Sequence, residues 1–207
     1  AIERDRRCLP ALRQIQDAWP DRLTVVEADA LEIDAHELGQ APRRIVANLP
    51  YNVATELLLR WLRHADAFAA MVLMFQKEVA ARLAARPGSG AYGRLSVAAQ
   101  WRCEVRALFD IAPSAFVPPP KVYSTVVGLV PRATPLAPAE PAVLERVTAA
   151  AFGQRRKMLR ASLRTLGVDA AALLDRAQIV PTRRAEELSV EEFCALARAF
   201  SDLRAAA

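Results

Sequence analysis

A continuous apolar run in the first half of the chain constrains the fold more than any other feature. Residues 69–75 read AAMVLMF and offer no polar position to face water. Such a run is typical of a parallel strand that is covered on both faces. The segments on either side, residues 53–64 and 76–85, have the apolar spacing of amphipathic helices. A buried strand between two helices predicts a doubly wound α/β sheet.

The other segments before residue 131 fit the same alternation of strands and helices. Their apolar patterns predict strands at residues 1–3, 23–27, 44–47, 103–109 and 122–130. Helices are predicted over residues 5–19, with Asp5 as the cap, and over residues 95–101. We therefore expect a mostly parallel sheet with helices packed against it.

A proline-rich stretch separates this pattern from a purely helical one. Eight of the fourteen prolines lie between residues 113 and 141, and residues 131–141 read PRATPLAPAEP, which is typical of a linker. Helical patterns follow over residues 142–153, 155–166, 169–176 and 189–203. We predict an α/β domain over residues 1–135 and a small all-helical domain over residues 136–207.

Charge and cysteine usage narrow the classes of function. The chain has 28 basic and 23 acidic residues, and the net charge of +5 favours a polyanionic partner. Its three cysteines and two histidines lack the spacing of a metal site, so we expect no metal. Unpaired thiols suit a reducing compartment, and we expect the cytoplasm. No apolar run reaches the roughly 18 residues that span a bilayer, so we expect no membrane partner.

The tetrapeptide Asn48-Leu49-Pro50-Tyr51 lies where a predicted strand gives way to a helix. Pro50 fixes its own φ and favours an extended Leu49, so the segment leaves the strand in a stiff shape. In that shape the Asn48 carboxamide and a backbone carbonyl can accept hydrogen bonds from an aromatic amine, such as N6 of adenine, while Tyr51 stacks on its ring. Alternatively, Asn48 caps an ordinary turn and Tyr51 packs in the core.

Two acidic residues end predicted strands upstream of this tetrapeptide. Glu3 ends the first strand and Asp29 follows the second. In nucleotide-binding α/β folds such side chains accept hydrogen bonds from a ribose and an adenine amino group. Alternatively, each is a helix cap or a solvated carboxylate. The glycine loop expected about 20 residues before Glu3 is not present, and the GxGxxG pattern at residues 88–93 follows a helix instead of a strand.

Two further segments suggest contacts with a nucleic acid. In SAFVPPPKV, residues 114–122, three prolines make a rigid segment that holds Phe116, which can stack on an extruded base or pack in the core. In residues 151–166, AFGQRRKMLRASLRTL, basic side chains recur without any acid between residues 151 and 168. These side chains predict a phosphate-binding surface or a solvated helix face. They are Arg155, Arg156, Lys157, Arg160 and Arg164.

Seven segments, taken in order, resemble the ribosomal RNA adenine N6,N6-dimethyltransferases of the KsgA type. They are AIERD, EADAL, NLPYNVAT, QKEVAARL, AYGRLSVAAQ, SAFVPPPKV and AFGQRRKMLRASL. The resemblance implies a Rossmann-like methyltransferase sheet followed by a small helical RNA-binding domain. It also implies dimethylation of two adjacent adenines in the 3′-terminal hairpin of small-subunit rRNA, with S-adenosylmethionine as donor, during maturation of the subunit. The implied partners are the small ribosomal subunit and its rRNA, bound by a monomer.

The resemblance assigns roles to matching positions. Glu3 is expected to hold the cofactor ribose and Asp29 its adenine amino group, with Ala30 beside the adenine and Asn48 also at the cofactor. Catalysis is expected to involve the tetrapeptide and the aromatic residue of the proline segment, that is, Asn48, Leu49, Pro50, Tyr51 and Phe116.

The family's glycine loop has no counterpart here, which predicts an amino-terminally incomplete chain that binds S-adenosylmethionine poorly or not at all. Two other functions stay open. One is a non-catalytic assembly factor that binds rRNA. The other is a DNA adenine N6-methyltransferase, although such enzymes often have a second proline where this chain has Leu49.

Overall fold

The structure is a computed structural model that describes residues 1–205. The chain divides into two compact units, residues 1–40 and the residues from 41 onward. Within residues 1–205, no helix is both long and apolar enough to cross a membrane.

The first unit is a strand–helix–strand segment. Strand β1 (Ile2–Glu3) pairs in parallel with β2 (Val26–Glu27), and helix α1 (Leu9–Ala18) connects them. Pro10 lies in the first turn of α1, where its missing N–H is tolerated. The predicted helix start after Asp5 is wrong, because the Asp5 carboxylate accepts the backbone N–H of Arg7 in a separate turn, at 2.9 Å.

The second unit contains a four-stranded mixed sheet. Its strands and their helices follow in order: β3 (Arg43–Asn48), α2 (Ala54–Arg63), β4 (Phe68–Gln76), α3 (Lys77–Leu83), α4 (Arg94–Arg102), β5 (Cys103–Ile111) and β6 (Ser124–Pro131). The strand order is β3-β4-β6-β5. Strands β3 and β4 are parallel, and β6 runs antiparallel to both of its neighbours. The sheet therefore has the predicted α/β architecture, with β6 as its antiparallel member.

Burial differs sharply between the two parallel strands. In β4 the side chains of Met71, Leu73 and Phe75 are buried on one face, and on the other face Met74 is buried and Val72 is half-buried. The predicted strand is confirmed, with one face largely buried and the other partly buried. In β3 the positions alternate between half-buried and exposed, and Val46 is 79% exposed. Strand β4 lies between two strands, whereas β3 is the last strand of this four-stranded sheet.

Helices fill the rest of the second unit. They are α5 (Pro141–Gly153), α6 (Leu159–Ser162), α7 (Ala170–Arg176) and α8 (Val190–Ala205). The prediction of one helix over residues 155–166 is wrong. Met158 is extended and bridges to Arg184, and Leu159 N–H donates to the Arg183 carbonyl at 2.8 Å. This pairing with another segment interrupts the helix, and residues 163–166 form a 3-10 turn.

The helical core extends on both sides of the proline-rich stretch. Tyr92 and Trp101 belong to the same buried cluster as Leu159, Phe193 and Phe200. The stretch itself is held by α4: the Trp101 indole N–H donates to the carbonyl of residue 137 at 2.8 Å, and the N–H of residue 136 donates to the Trp101 carbonyl at 2.9 Å. The division into domains 1–135 and 136–207 stays a prediction.

Candidate active site

Several strand ends of the second unit meet at one edge of its sheet. Asn48 ends β3 opposite Met74, two residues before the end of β4. The last residue of β4, Gln76, pairs with Ser124, which begins β6 and also pairs with Ile111 at the end of β5. In open α/β sheets the edge formed by the carboxyl ends of the parallel strands is where ligands bind. This edge is therefore the candidate active site.

The tetrapeptide after β3 is anchored through its second residue. The Leu49 side chain is only 7% exposed, whereas Asn48 and Pro50 are exposed. The Pro50 carbonyl accepts the N–H groups of Val53 and Ala54, each at 3.1 Å, which starts α2. The N-cap of α2 is Val53, so the interpretation of Asn48 as a helix cap is wrong. The buried leucine leaves the Asn48 carboxamide facing solvent at the strand end.

Tyr51 is fixed at the end of its side chain. Its hydroxyl lies 2.7 Å from the Oγ of Ser124, and either oxygen can be the donor. Ser124 is buried, whereas Tyr51 is half-buried. Tyr51 is therefore neither a core residue nor a freely rotating surface residue. One part of its ring remains accessible at the edge.

Phe116 lies on the loop between β5 and β6. A 3-10 turn, Pro113–Ala115, precedes it, and the Phe116 N–H donates to the Pro113 carbonyl at 3.1 Å. Phe116 is half-buried, and Val117 beside it is fully exposed. Packing of Phe116 entirely in the core is excluded. Because the loop connects two strand ends of the same edge, the structure brings Phe116 to the side of the sheet that carries Asn48 and Tyr51.

A charged cluster at the same edge was not found from the sequence. The Lys77 ammonium lies 2.6 Å from Asp110 Oδ2, and the Thr125 hydroxyl donates to Asp110 Oδ1 at 2.6 Å. The hydrogen bond to Asp110 raises the pKa of Lys77. Hydrogen bonds from Lys77 and then from Thr125 lower the pKa of Asp110, so both groups stay charged at neutral pH. The sequence signal that could have identified Lys77 and Asp110 is their position, because each closely follows a predicted strand.

The predicted cofactor residues lie in the first unit. Glu3 and Asp29 follow neighbouring parallel strands, and Ala30 begins the 3-10 turn Ala30–Glu32. Glu3 Oε1 accepts the Asp5 N–H at 2.7 Å. Asp29 Oδ1 accepts the Leu31 N–H at 2.9 Å, which confirms its interpretation as a cap.

Asp29 Oδ2 also pairs with Arg4 at 2.6 Å. An ionised carboxylate has about four acceptor positions, so Glu3, which accepts the Asp5 N–H, can also accept from hydroxyl groups. The chemistry of the two carboxylates fits the ribose and the adenine of S-adenosylmethionine.

The basic segment divides into one tethered residue and four exposed ones. The Arg155 guanidinium pairs with Glu186 at 2.9 Å and donates to the Ser89 carbonyl at 3.4 Å. The acidic partner of Arg155 comes from outside the segment, which itself contains no acid. Four exposed side chains form no salt bridge with any described residue. They are Arg156, Lys157, Arg160 and Arg164.

The described residues contain no group of three or more histidine, cysteine or acidic side chains that could hold a metal ion. The three cysteines form no disulfide: Cys8 is exposed, and Cys103 and Cys194 are buried.

Comparisons with known proteins agree with this arrangement. The sequence profile of the family described as Ribosomal RNA adenine dimethylase matches residues 1–202. The Ribosomal RNA small subunit methyltransferase A of Rhodospirillum rubrum is 66% identical over 199 residues, which cover 96% of this chain and 69% of that protein. The protein of the same name from Xanthobacter autotrophicus is 56% identical over 211 residues, which cover 100% of this chain and 73% of that protein.

Solved structures show the same fold. The dimethyladenosine transferase from Plasmodium falciparum superposes with a TM-score of 0.78 at 23% identity, over 98% of this chain and 82% of that chain. The 23S rRNA methyltransferase ErmE superposes with a TM-score of 0.69 at 24% identity, over 97% of this chain and 80% of that chain. At these identities the likeness concerns the fold alone.

Proposed function

The chain belongs to the ribosomal RNA adenine dimethylase family, and from that membership we propose that it dimethylates N6 of two adjacent adenines in the 3′-terminal hairpin of small-subunit rRNA. The observation that carries the proposal is the sheet edge. An exposed carboxamide, Asn48, ends β3 beside Tyr51, whose hydroxyl is held by the buried Ser124.

Hydrogen-bond acceptors at this edge suit an exocyclic amine. The lone pair of adenine N6 is delocalised into the base, so the amine is a poor nucleophile. Hydrogen bonds from its two N–H groups to the Asn48 carboxamide oxygen and the Leu49 carbonyl favour a pyramidal nitrogen with an available lone pair. S-adenosylmethionine, when bound, supplies an electrophilic methyl group. No basic side chain is required, because the amine becomes acidic once it is alkylated.

The aromatic residues hold the target base. Bases that undergo chemistry leave the helical stack and lie between aromatic or apolar side chains. We assign Tyr51 and Phe116 to the two faces of the adenine, with Pro50 stiffening the turn that carries Tyr51. After the first transfer one N–H remains, and one acceptor at the edge is then sufficient for the second.

Most of the residues that we assign to the cofactor lie in the first unit. We assign Glu3 to the ribose hydroxyls and Asp29 to the adenine amino group, with Ala30 beside the adenine and Asn48 near the reacting end. Both carboxylates lie at the ends of neighbouring parallel strands, and Glu3 can accept further hydrogen bonds, which supports these roles. Titration calorimetry with S-adenosylmethionine tests the weak binding expected from the sequence, and Glu3→Gln serves as the variant of reduced affinity.

The partner is the small ribosomal subunit, and we place the reaction in the cytoplasm, with the protein acting as a monomer. Arg156, Lys157, Arg160 and Arg164 are exposed and have no acidic partner among the described residues, so they can bind phosphates. Arg155 is tethered within the protein and positions the start of this basic segment.

The test uses S-adenosylmethionine with a labelled methyl group and three substrates in parallel. Small subunits that lack the modification should incorporate label as N6,N6-dimethyladenine. Duplex DNA and subunits that are already methylated should not. Methylation of duplex DNA would replace this function with the DNA-directed one. Tight binding to unmethylated subunits without any transfer, at a cofactor concentration shown by calorimetry to saturate the protein, would replace it with a non-catalytic assembly factor.

A further inference from the structure

The mechanism described above assigns the buried serine at the start of β6 no contact with the base or the cofactor. Ser124 is 0% exposed, and its backbone pairs with Gln76 on one side and Ile111 on the other. A residue paired on both sides has little freedom to move. Its hydroxyl is nevertheless directed to a residue 73 positions away, Tyr51, at 2.7 Å.

This hydrogen bond holds the hydroxyl of Tyr51, while the backbone that carries the side chain is already restricted. The backbone of Tyr51 follows Pro50, which has a fixed φ. A bond at the tyrosine hydroxyl fixes χ1 and with it the direction of the ring axis, because the phenolic oxygen lies on the line through Cβ and Cγ. Because Tyr51 is half-buried, the ring can be held firmly and still present a face to a ligand.

The position of Ser124 is itself reinforced by its neighbour. The buried Thr125 donates to Asp110 at 2.6 Å, and Asp110 pairs with Lys77 at 2.6 Å. The backbone N–H of Lys77 also donates to the Tyr123 carbonyl at 2.9 Å. Residues on both sides of Ser124 are thus bonded to the ends of β4 and β5, which makes Ser124 a rigid support.

We propose that Ser124 is a positioning residue that holds the Tyr51 ring in place at the sheet edge, and through it the target adenine that stacks on the ring. The inference rests on the proposed function. Ser124 touches neither the base nor the cofactor. Ser124 acts through Tyr51, so its loss should change the orientation of the bound adenine more than the affinity for the ribosomal subunit.

The experiment removes the hydrogen bond from each end. Ser124→Ala deletes the buried hydroxyl, and Tyr51→Phe deletes the other hydroxyl while the ring is kept. Each variant should lower kcat for methylation of unmethylated small subunits by about three- to tenfold, the effect of one net hydrogen bond, with KM changed by less than about twofold. The double variant should be no slower than the slower single variant, because both changes remove the same bond.

A matched control makes the same chemical change at an equally buried site elsewhere. Ser96 lies in α4, is 0% exposed, and its hydroxyl donates to the Arg82 carbonyl. Ser96→Ala should leave kcat unchanged. Thermal unfolding of every variant identifies any that does not fold. Tyr51→Phe changes a half-buried residue and leaves the buried serine in place, so it decides the question if Ser124→Ala does not fold.

The outcomes separate the two proposals. If the unaltered protein methylates the subunits and Tyr51→Phe matches its kcat within twofold, the positioning role is refuted and the function stands. The same conclusion follows if the losses in kcat of the two single variants multiply in the double variant, or if KM rises while kcat is kept. If the unaltered protein transfers no methyl group at a concentration of S-adenosylmethionine shown by calorimetry to saturate it, the proposed function itself fails.

Discussion

Replacement of Asn48 by alanine should abolish most of the activity while the fold keeps its stability. The Asn48 side chain is exposed at the end of β3 and makes no hydrogen bond with any described residue. Surface substitutions of this kind change the free energy of unfolding by about 0.5 kcal/mol or less. Removal of one preorganised hydrogen-bonding group from an active site lowers kcat by about 10²–10³-fold, or about 3–4 kcal/mol of transition-state stabilisation.

Leu49→Ala provides the contrast in the neighbouring residue. The Leu49 side chain is buried, and truncation of a buried leucine costs about 2–5 kcal/mol of stability. Its carbonyl, the second proposed acceptor, is unchanged by the substitution. The assay measures kcat on unmethylated small subunits, the midpoint of thermal unfolding and the Kd for the subunit. Asn48→Ala should lose kcat with an unchanged midpoint and Kd, and Leu49→Ala should lower the midpoint. A kcat for Asn48→Ala within about threefold of the unaltered protein would refute the role of the carboxamide.

Two further predictions concern charge and thiols. Arg160→Ala should weaken binding to the small subunit and reduce the slope of log K against log salt concentration by about 1. The control, Arg63→Ala, removes an exposed arginine outside the basic segment and should leave the slope unchanged. Equal slopes for the two variants would contradict a phosphate contact. Burial raises the pKa of Cys103 to about 12 and that of Cys194 to about 11, so a thiol reagent at pH 8 should modify Cys8 rapidly and the two buried thiols only after unfolding. Rapid modification of all three in the native protein would contradict the burial of Cys103 at the start of β5 and of Cys194 in α8.

The sequence was sufficient to predict a strand or a helix wherever the local hydrophobic pattern agrees with the burial of the side chains. The apolar run at residues 69–75 became the buried strand β4, and the amphipathic pattern at residues 53–64 became α2. The order of motifs identified the family correctly. The tetrapeptide could be recognised because proline restricts the backbone within the segment itself, without help from distant residues.

The errors occurred where distant segments meet. The helix predicted over residues 155–166 fails because Met158 pairs with Arg184, a partner that helical periodicity cannot reveal. The bond between Tyr51 and Ser124 joins residues 73 positions apart and exists only because β6 enters the sheet next to β4. Asp5 has the residue type of a cap, but Arg7 engages its carboxylate first.

The exposure of strand β3 has a consequence for the protein in solution. Within residues 1–205, β3 pairs with β4 alone, and its Val46 side chain is 79% exposed. A strand that is paired on one side only offers backbone groups to a second molecule, and such strands promote aggregation unless charges oppose it. The exposed Arg44 near its start supplies a positive charge that repels the same residue of an approaching copy. Because salt screens that repulsion, concentrated samples should self-associate more at high ionic strength than at low.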